Sequence, residues 1–300
     1  MRCSIALLLT LLLVPPAFGA HRRAVAHPGS SDPPVSHVFV VVLENTNAAT
    51  ALQQPFLQRL MREGALLRNY HGIAHPSQPN YIAMTAGDTY GVTGDGNVNL
   101  GVRHLGDLLE EHGRSWKVYA ENYKGNCSLA DDGLFARRHV PFLSYQNIQK
   151  DHARCVAHVL NASALYPDLA TGSFPSYALY IPNDRNNGHD TTAAFADQQM
   201  QTTFGPLLDD PRFTYGLLFV VTFDESESYD GNSIVTVCWG SRVAAGQVSN
   251  VAYDHYSLLR TIEELYATGT LGRKDAEAHP VDDVIRYETE PPPLRESHAE

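Results

Sequence analysis

Short apolar runs separated by helical patterns dominate the chain. Residues 38–43 form an uninterrupted and mostly β-branched run, which predicts a strand buried on both faces of a parallel sheet. Similar runs predict further strands at residues 115–121, 176–181, 215–223 and 234–239. Helices are predicted between Pro55 and Gly64, over residues 102–112 and over residues 256–265. This alternation predicts an α/β domain with a mostly parallel sheet.

Polar residues follow two of these strands, at the ends where ligands of parallel sheets gather. Glu44 and Asn45 follow the first strand, and Asp224 and Glu225 follow the fourth. Two adjacent carboxylates raise each other's pKa unless a cation neutralises them, so the second pair indicates a metal site. The alternative is that these residues are solvated, since the loop after Glu225 is acidic in any case.

The third strand is followed by residues 182–190, which have the sequence Pro-Asn-Asp-Arg-Asn-Asn-Gly-His-Asp. Asp184, Asn187 and His189 lie in this segment. A histidine and several oxygen ligands at a strand end indicate a metal site. The alternative is an Asn/Asp/Gly turn without chemistry.

A candidate nucleophile lies in residues 75–81, His-Pro-Ser-Gln-Pro-Asn-Tyr. Ser77 precedes a predicted helix that stops near Gly87. A serine at this position faces the positive end of the helix dipole, where a phosphate binds well. The alternative is that Ser77 is only a helix cap. Further on, Asp254 is a predicted cap that places His255 on the first turn of the last helix.

Together these motifs resemble the phosphoesterase family of the alkaline phosphatase superfamily, which joins bacterial-type acid phosphatases and phospholipases C. The resemblance covers roughly residues 37–270 and depends on the joint order of the motifs. The matching pieces are Glu44-Asn45, residues 75–81, 116–121 and 138–142, Phe223-Asp224-Glu225 and residues 255–263. The short length is more similar to the small secreted acid phosphatases than to the longer phospholipases.

The resemblance implies a three-layer α/β/α sandwich around a mostly parallel sheet, and hydrolysis of phosphomonoesters through a phosphoserine. It also implies divalent metal ions of unspecified identity as cofactors. The implied catalytic residues are Ser77 as nucleophile and His189 and His255 beside the attacking water. The candidate substrate-binding residues are Asn80, His139 and Glu121. The candidate metal ligands are Glu44, Asn45, Asp184, Asn187, Asp224 and Glu225.

One position departs from the family pattern. The family has Asn-Asp-Gly-His-Asp after Pro-Asn and two variable residues, whereas here Asn187 takes the place of the first Asp. An amide can bind a hard cation through its oxygen, but it lacks the negative charge and should weaken a second metal position. Asp184, three residues earlier, is the candidate that compensates.

Composition narrows the choice of partners. The 300 residues are 43% hydrophobic and carry a formal net charge of −11, without a Lys/Arg cluster. This balance argues against nucleic acid as a partner. It permits a small phosphorylated substrate or a phospholipid headgroup, because a bound cation reverses the local potential. Two alternative functions are a phospholipase C-type phosphodiesterase and a catalytically decayed secreted binding protein, the second motivated by Asn187.

The chain ends and the cysteines predict an exported protein. Residues 1–19 have a basic start, an apolar centre and a small-x-small end, the pattern of a signal peptide, so extracellular or periplasmic location is expected. No other stretch is apolar and long enough for membrane insertion. Export favours a disulfide between Cys127 and Cys155, and it leaves Cys238 as an expected buried thiol. One phosphoesterase domain is expected at residues 35–272, followed by a polar tail at 273–300.

Overall fold

A computed structural model describes residues 32–229 and 231–287. The strands are β1 (His37–Leu43), β2 (Ala65–His71), β3 (Trp116–Ala120), β4 (Val159–Asn161), β5 (Tyr177–Ile181), β6 (Leu217–Phe223), β7 (Ser233–Trp239), β8 (Gln247–Ser249) and β9 (Tyr253–Asp254). The first α-helices are α1 (Ala48–Ala51), α2 (Pro55–Glu63), α3 (Gln78–Ala86), α4 (Leu105–Glu111), α5 (Gln146–Gln149) and α6 (His152–His158). The later ones are α7 (Leu165–Thr171), α8 (Ala193–Leu208), α9 (Pro211–Thr214), α10 (His255–Tyr266) and α11 (Lys274–Glu277). Short 3₁₀ helices cover Arg137–His139, Pro141–Ser144 and Ala162–Ala164.

The strands form one sheet with the order β4-β3-β5-β1-β6-β7-β2-β8, and β9 also pairs with β2. Within the described ranges, β7 is antiparallel to both neighbours and the other pairings are parallel. β1 lies at the centre, and its residues 38–43 are all buried. Burial on both faces explains why this run is apolar without interruption. The predicted mostly parallel sheet is therefore confirmed.

The helices pack in two groups around the sheet. α1 and α2 contact β7, and α2 also contacts α8, while α3 contacts α4 and α10. The core contains a cluster of aromatic rings around Phe39, which meets Phe204 and Phe213 edge-on at centroid distances of 5.6 and 5.3 Å. Such edge-to-face pairs stabilise a core beyond the area that they bury. This rigid centre supports the strand ends that carry the polar residues.

The cysteines follow the expected pattern. Cys127 and Cys155 form a disulfide, which joins the loop after β3 to α6. Cys238 is a buried free thiol within β7. No helix in residues 32–229 or 231–287 is long and apolar enough to cross a membrane. The predicted signal peptide at residues 1–19 lies outside the described residues.

The tail predicted from residue 273 is placed too early. α11 packs against α10, and Val281, Val284 and Ile285 are buried. Ile285 also forms a β-bridge with Val243. The segment is mostly polar in sequence, and its three buried apolar side chains form their contacts only when the chain folds. The packed body therefore reaches residue 287, and the rest of the predicted tail lies outside the described ranges.

Candidate functional site

The centre of the sheet brings three polar segments to one edge. β1 pairs in parallel with β5 and with β6, and Leu43 lies beside Phe223 in the second pair. Glu44 and Asp224 therefore leave adjacent strands side by side, and the Asp224 N–H donates to the Leu43 carbonyl at 3.0 Å. The loop after β5 joins the same edge, because the Glu44 N–H donates to the Asn187 carbonyl at 3.0 Å.

Ser77 reaches this edge from β2. Two successive antiparallel pairings, β6 with β7 and β7 with β2, make β2 end at the same edge as β6. α3 then begins at Gln78, and it ends at Gly87, whose φ of 72° suits glycine. Ser77 is the N-cap residue, yet its hydroxyl makes no capping hydrogen bond. Capping alone therefore does not account for this serine.

Asn80 holds the loop in front of Ser77. Its side-chain oxygen accepts hydrogen bonds from the N–H groups of Ile73 and Ala74 at 2.7 and 3.0 Å. Its amide nitrogen donates to the carbonyls of Ala74 and Ser77 at 2.9 and 3.3 Å. The loop backbone thus occupies this side chain, and the contact between Asn80 and a phosphoryl group stays a prediction.

The first turn of α3 is occupied as well. The Gln78 N–H donates to Asp95 at 2.9 Å, and the Asn80 N–H donates to the Ser77 carbonyl at 2.9 Å. Pro79, between them, has no N–H. These amides are therefore not available for the phosphate that the helix dipole would favour.

The Ser77 hydroxyl lies between two carboxylates. Its oxygen is 3.0 Å from Oε2 of Glu44 and 3.2 Å from Oε1 of Glu225, and Ser77 is 3% exposed. One hydroxyl proton can be donated fully to only one of these acceptors. The negative charge on both sides disfavours a charged serine oxygen, so deprotonation of Ser77 requires a cation nearby.

Glu44 is fully buried and is surrounded by donors. The Tyr81 hydroxyl donates to its Oε1, and Ser77 donates to its Oε2. His139 Nε2 lies 3.2 Å from the same Oε1. These contacts keep the Glu44 carboxylate in a fixed position beside the candidate nucleophile.

Asp224, in contrast, is a buried acid without partners. Neither of its carboxylate oxygens has a hydrogen-bond partner among the described residues, and Oδ1 of Asn45 is also unpartnered. The Asn45 amide nitrogen donates to Glu225 at 3.0 Å, which leaves this oxygen free. Burial raises the pKa of Asp224 well above its usual range, and the charges of Glu44 and Glu225 add to it, against smaller opposing effects of Ser77 and the Glu225 N–H. Burial and the Glu44 charge also raise the pKa of Glu225 to about 7, against the hydrogen bond from Ser77.

This set of donors fits a divalent cation. Carboxylate and amide oxygens are the ligands that hard cations prefer. A cation would also compensate the buried charge at Asp224, which the protein itself leaves uncompensated. In residues 32–229 and 231–287, no three His, Cys, Asp or Glu side chains form a group that could hold a metal ion. A site here therefore depends on the Asn45 amide as well as on the acids.

His139 connects this centre to the loop after β5. It lies 3.2 Å from Glu44 on one side and 3.2 Å from Asp184 on the other. Burial raises the pKa of Asp184, but His139 and Arg138 outweigh burial, so this pKa stays below its usual range. Asp184 therefore lies within ion-pair distance of a histidine, although its Oδ1 makes no hydrogen bond among the described residues, and its role as a metal ligand stays a prediction.

Asn187 and His189 are held by their own loop. Asn187 Oδ1 accepts the His189 N–H at 2.8 Å, while the buried Nδ2 of Asn187 has no partner in the described part of the chain. If the oxygen and nitrogen of the Asn187 amide were exchanged, its NH₂ group would face the His189 N–H, and two donors would oppose each other. The hydrogen bond therefore fixes the orientation of the Asn187 amide. His189 Nδ1 lies 2.8 Å from Asp190, and the His189 side chain is 39% exposed. Donation from Nδ1 to Asp190 would leave Nε2 as the free acceptor.

Glu121 binds the end of β5 and the loop that follows it. Its Oε1 accepts the Tyr180 hydroxyl at 2.8 Å, and its Oε2 accepts the Asn183 N–H at 3.1 Å. Asn186 also donates to this Oε2, at 2.7 Å. Glu121 thus organises the loop that carries Asp184 and His189, and its contact with substrate stays a prediction.

His255 is held by groups on β2 and at the end of β6. Asp254 caps α10 as expected, accepting the Ser257 N–H at 3.0 Å. The His255 ring is buried, with Nε2 at 2.6 Å from the Asp224 carbonyl and Nδ1 at 3.3 Å from the Tyr70 hydroxyl. Both ring nitrogens are engaged, so His255 positions the Asp224 backbone and is not free to activate water.

Two residues that contact the carboxylates around Ser77 are not among the site residues predicted from the sequence. Tyr81 donates to Glu44, and His75 Nδ1 lies against Oε2 of Glu225. Burial lowers the pKa of His75, and its ring lies 4.4 Å from the ring of Tyr229. The signal for both residues is their place in the same short segment as Ser77.

Comparisons with known proteins show the family of the chain. The sequence profile of the Phosphoesterase family matches residues 49–268. A probable acid phosphatase of Kluyveromyces lactis is 31% identical, over 82% of this chain and 62% of that protein. A phosphate-repressible acid phosphatase of Penicillium chrysogenum is 32% identical, over 86% of this chain and 66% of that protein. The chain thus spans somewhat less than two thirds of the length of these fungal relatives. A phosphatidylinositol-3-phosphatase of Mycobacterium tuberculosis is 31% identical, over 85% of this chain and 84% of that protein.

Solved structures show the same fold. A protein of the alkaline phosphatase superfamily from Vibrio parahaemolyticus has a TM-score of 0.55 at 11% identity, over 81% of this chain and 70% of that one. A phosphonate monoester hydrolase from Silicibacter pomeroyi has a TM-score of 0.51 at 12% identity, over 82% and 76%. Such low identities show the fold alone, and they confirm the predicted α/β fold. Since the family profile covers most of the domain and several relatives exceed 30% identity, the chain belongs to the phosphoesterase family.

Proposed function

We propose that this chain is a phosphatase that hydrolyses phosphomonoesters with Ser77 as the nucleophile. The observation that carries the proposal is a buried serine hydroxyl that caps no helix and lies 3.0 and 3.2 Å from Glu44 and Glu225. Membership of the phosphoesterase family supports the same chemistry. The similarity to proteins named acid phosphatases supports a monoester substrate.

In the first step, the Ser77 oxygen attacks phosphorus, the bond to the alcohol oxygen breaks, and the leaving oxygen takes a proton from water. The hydroxyl proton leaves toward Glu44, the nearer acceptor at 3.0 Å. Asn45, Asp224 and Glu225 would hold a divalent cation, which when bound lowers the pKa of a neighbouring hydroxyl and offsets phosphoryl charge. Tyr81 and His139 keep Glu44 in place.

In the second step, a water oxygen attacks phosphorus, the bond from phosphorus to the Ser77 oxygen breaks, and this oxygen takes its proton back from Glu44. His189 is the better candidate for the base, because its ring is partly exposed and Asp190 holds Nδ1 at 2.8 Å. His255 contributes differently: it holds the Asp224 carbonyl and so supports the shape of the site. We therefore assign the water step to His189 alone of the two histidines.

The test compares Ser77→Ala with Ser144→Ala, since Ser144 is another fully buried serine whose hydroxyl is unpartnered among the described residues. Ser77→Ala is expected to lower kcat on p-nitrophenyl phosphate by at least about 10³-fold, and Ser144→Ala to leave it near wild type. Acid quenching followed by mass spectrometry should find a phosphoryl group on the Ser77 peptide of the wild type. Wild-type turnover by Ser77→Ala would remove this serine from the mechanism.

Substrate choice is tested with the same protein. Similarity to a phosphatidylinositol-3-phosphatase supports phospholipid headgroups as well as small phosphorylated molecules. Faster turnover of p-nitrophenyl phosphate than of bis(p-nitrophenyl) phosphate is expected of a monoesterase, and the reverse order would indicate a phospholipase C-type enzyme. Absence of turnover with every divalent ion supplied would favour a binding protein on a decayed scaffold. A chelator should reduce the activity of the wild type.

We also propose that the protein is exported. The disulfide between Cys127 and Cys155 supports this, because such bonds persist in oxidising compartments. Residues 1–19, outside the described ranges, would supply the signal. Mass spectrometry of the mature chain should find an N-terminus near residue 20 outside the cytoplasm. An intracellular chain that retains residues 1–19 would contradict export.

A further inference from the structure

A polar cavity of about 460 Å³ lies at the same edge of the sheet as Ser77. Glu121 and Asn122, which follow β3, form one side of it, and Asn183 and Asn186, which follow β5, form the other. Tyr166 at the start of α7 lies at its margin and is 54% exposed. We call this cavity the amide pocket. The proposed phosphatase reaction gives it no role.

The polar groups of the amide pocket are held in fixed orientations. Asn186 Nδ2 donates to Glu121 at 2.7 Å, which leaves Asn186 Oδ1 as an acceptor without a partner in the described part of the chain. Asn183 Nδ2 donates to Asn122 Oδ1 at 2.7 Å, which leaves Asn122 Nδ2 as a donor that is likewise free there. The pocket thus presents a prearranged acceptor and a prearranged donor.

This chemistry suits hydroxyl groups, because each hydroxyl both donates and accepts a hydrogen bond. The lining of the pocket includes one carboxylate, Glu121, and no Lys, Arg or His. A free anion such as phosphate would therefore be repelled. The exposed ring of Tyr166 adds an apolar face beside the polar groups. An uncharged polyhydroxylated group, such as a sugar ring or a polyol, matches this lining.

The position of the amide pocket relates it to the nucleophile. Only β5 separates β3 from β1 in the sheet. Since adjacent strands are about 4.8 Å apart, the ends of β3 and β1 are separated by roughly 10 Å. The loop after β5 contacts both places. Its residues Asn183 and Asn186 line the pocket, and its residue Asp184 lies beside His139 of the nucleophile centre.

We propose that the amide pocket binds the polyhydroxylated portion of a phosphomonoester whose phosphoryl group reacts at Ser77. This inference rests on the proposed function and names the substrate class of the same site. It makes Asn122 and Asn186 residues that determine specificity. Each polar contact distinguishes a polyol phosphate from a phosphate ester without hydroxyl groups.

Two variants test the pocket. Asn122→Asp keeps the oxygen that accepts from Asn183 but removes the N–H donor, and Tyr166→Ala removes the exposed ring. Tyr215→Ala is the matched control, because Tyr215 is 69% exposed and precedes β6 at the opposite edge of the sheet. The quantity measured is kcat/KM for glucose 6-phosphate divided by that for p-nitrophenyl phosphate. Each pocket variant is expected to lower this ratio about tenfold, and the control to leave it unchanged.

A direct binding measurement shows whether the pocket proposal fails or the assignment of Ser77 as a phosphatase nucleophile fails. Free glucose, myo-inositol and glycerol are titrated by saturation-transfer NMR against wild type, Ser77→Ala and Asn122→Asp, a readout that needs no turnover. Binding by wild type and Ser77→Ala, reduced about tenfold in Asn122→Asp, supports the pocket even if Ser77 proves not to be the nucleophile. Polyol binding with an unchanged kinetic ratio would overturn the substrate role and leave a separate sugar site. No binding of any polyol, with an unchanged ratio, would overturn the proposal entirely.

Discussion

Replacing Asp224 with asparagine should stabilise the metal-free protein and remove its response to divalent cations. Asp224 is fully buried, and its carboxylate oxygens have no partner among the described residues. Burial raises its pKa, and the charges of Glu44 and Glu225 raise it further. Without a cation, an ionised side chain at this position lowers the free energy of unfolding. Function and stability are therefore in conflict at this residue.

The magnitude follows from two costs. An uncompensated buried charge costs several kcal/mol, whereas an unpartnered amide costs about 1–3 kcal/mol. At a pH above the raised native pKa, where Asp224 is ionised, the metal-free Asp224→Asn protein should therefore gain about 2 kcal/mol, a rise in Tm of roughly 4–8 °C for a chain of this size. A cation at 100 times its Kd should stabilise the wild type by about 2.7 kcal/mol. The variant should lose this gain because an amide replaces a charged ligand.

The pH dependence has a definite sign. The native pKa of Asp224 is higher than its unfolded value, so the folded state holds this proton to higher pH. Metal-free wild type should then lose stability as pH rises from about 4 through the raised native pKa. Asp224→Asn should lack this share of the loss, because asparagine does not titrate.

The assay is thermal unfolding followed by circular dichroism, with a chelator and then with Mg²⁺, Mn²⁺, Ca²⁺ or Zn²⁺. Asp209→Asn is the control: it removes the same charge from a side chain that is 76% exposed, and it should change neither Tm nor the cation response. A lower Tm for metal-free Asp224→Asn, or an undiminished rise on adding cations, would refute the assignment of Asp224 as a buried ligand.

Two further substitutions probe other acids. Asn187→Asp restores the family carboxylate, and because Asp184 already lies beside a histidine, the new charge should tighten cation binding about tenfold. Calorimetric titration measures this affinity, and an unchanged value would mean that this loop binds no cation. Burial and the charge of Asp275 raise the pKa of Glu263 to about 9, so the wild type should lose stability as pH rises from about 4.3 toward that value. Glu263→Gln should remove this loss, at most about 1.4 kcal/mol per pH unit, while Glu264→Gln, on the same helix, should not. Denaturant unfolding at about pH 5 and about pH 8 measures the difference, and identical behaviour of the two variants would contradict it.

Local signals were sufficient to predict the central strands β1, β3, β5, β6 and β7 and several helices, but they did not predict β2, β4, β8, β9 or α8. The run in β1 is apolar throughout because both faces of the central sheet are buried. Asp254 marks the start of α10 through a hydrogen bond to a residue three positions away, and Gly87 marks the end of α3 through its left-handed conformation. Such signals depend on neighbours in sequence, so they are visible before any tertiary contact is known. The placement of Glu44 and Asp224 at strand ends follows in the same way.

Only the tertiary structure decided which polar residues of the motifs face Ser77. Asn80, Glu121 and His255 have the same chemical types as residues of the centre. Groups distant in the chain occupy the polar atoms of Glu121 and His255, and the preceding loop occupies those of Asn80. Asp224 is left without partners only because β1 and β6 align in one register and the surrounding side chains exclude water. A sequence determines which groups are present and which element carries them. Their orientation depends on hydrogen bonds between residues far apart in the chain, and these exist only after the sheet has assembled.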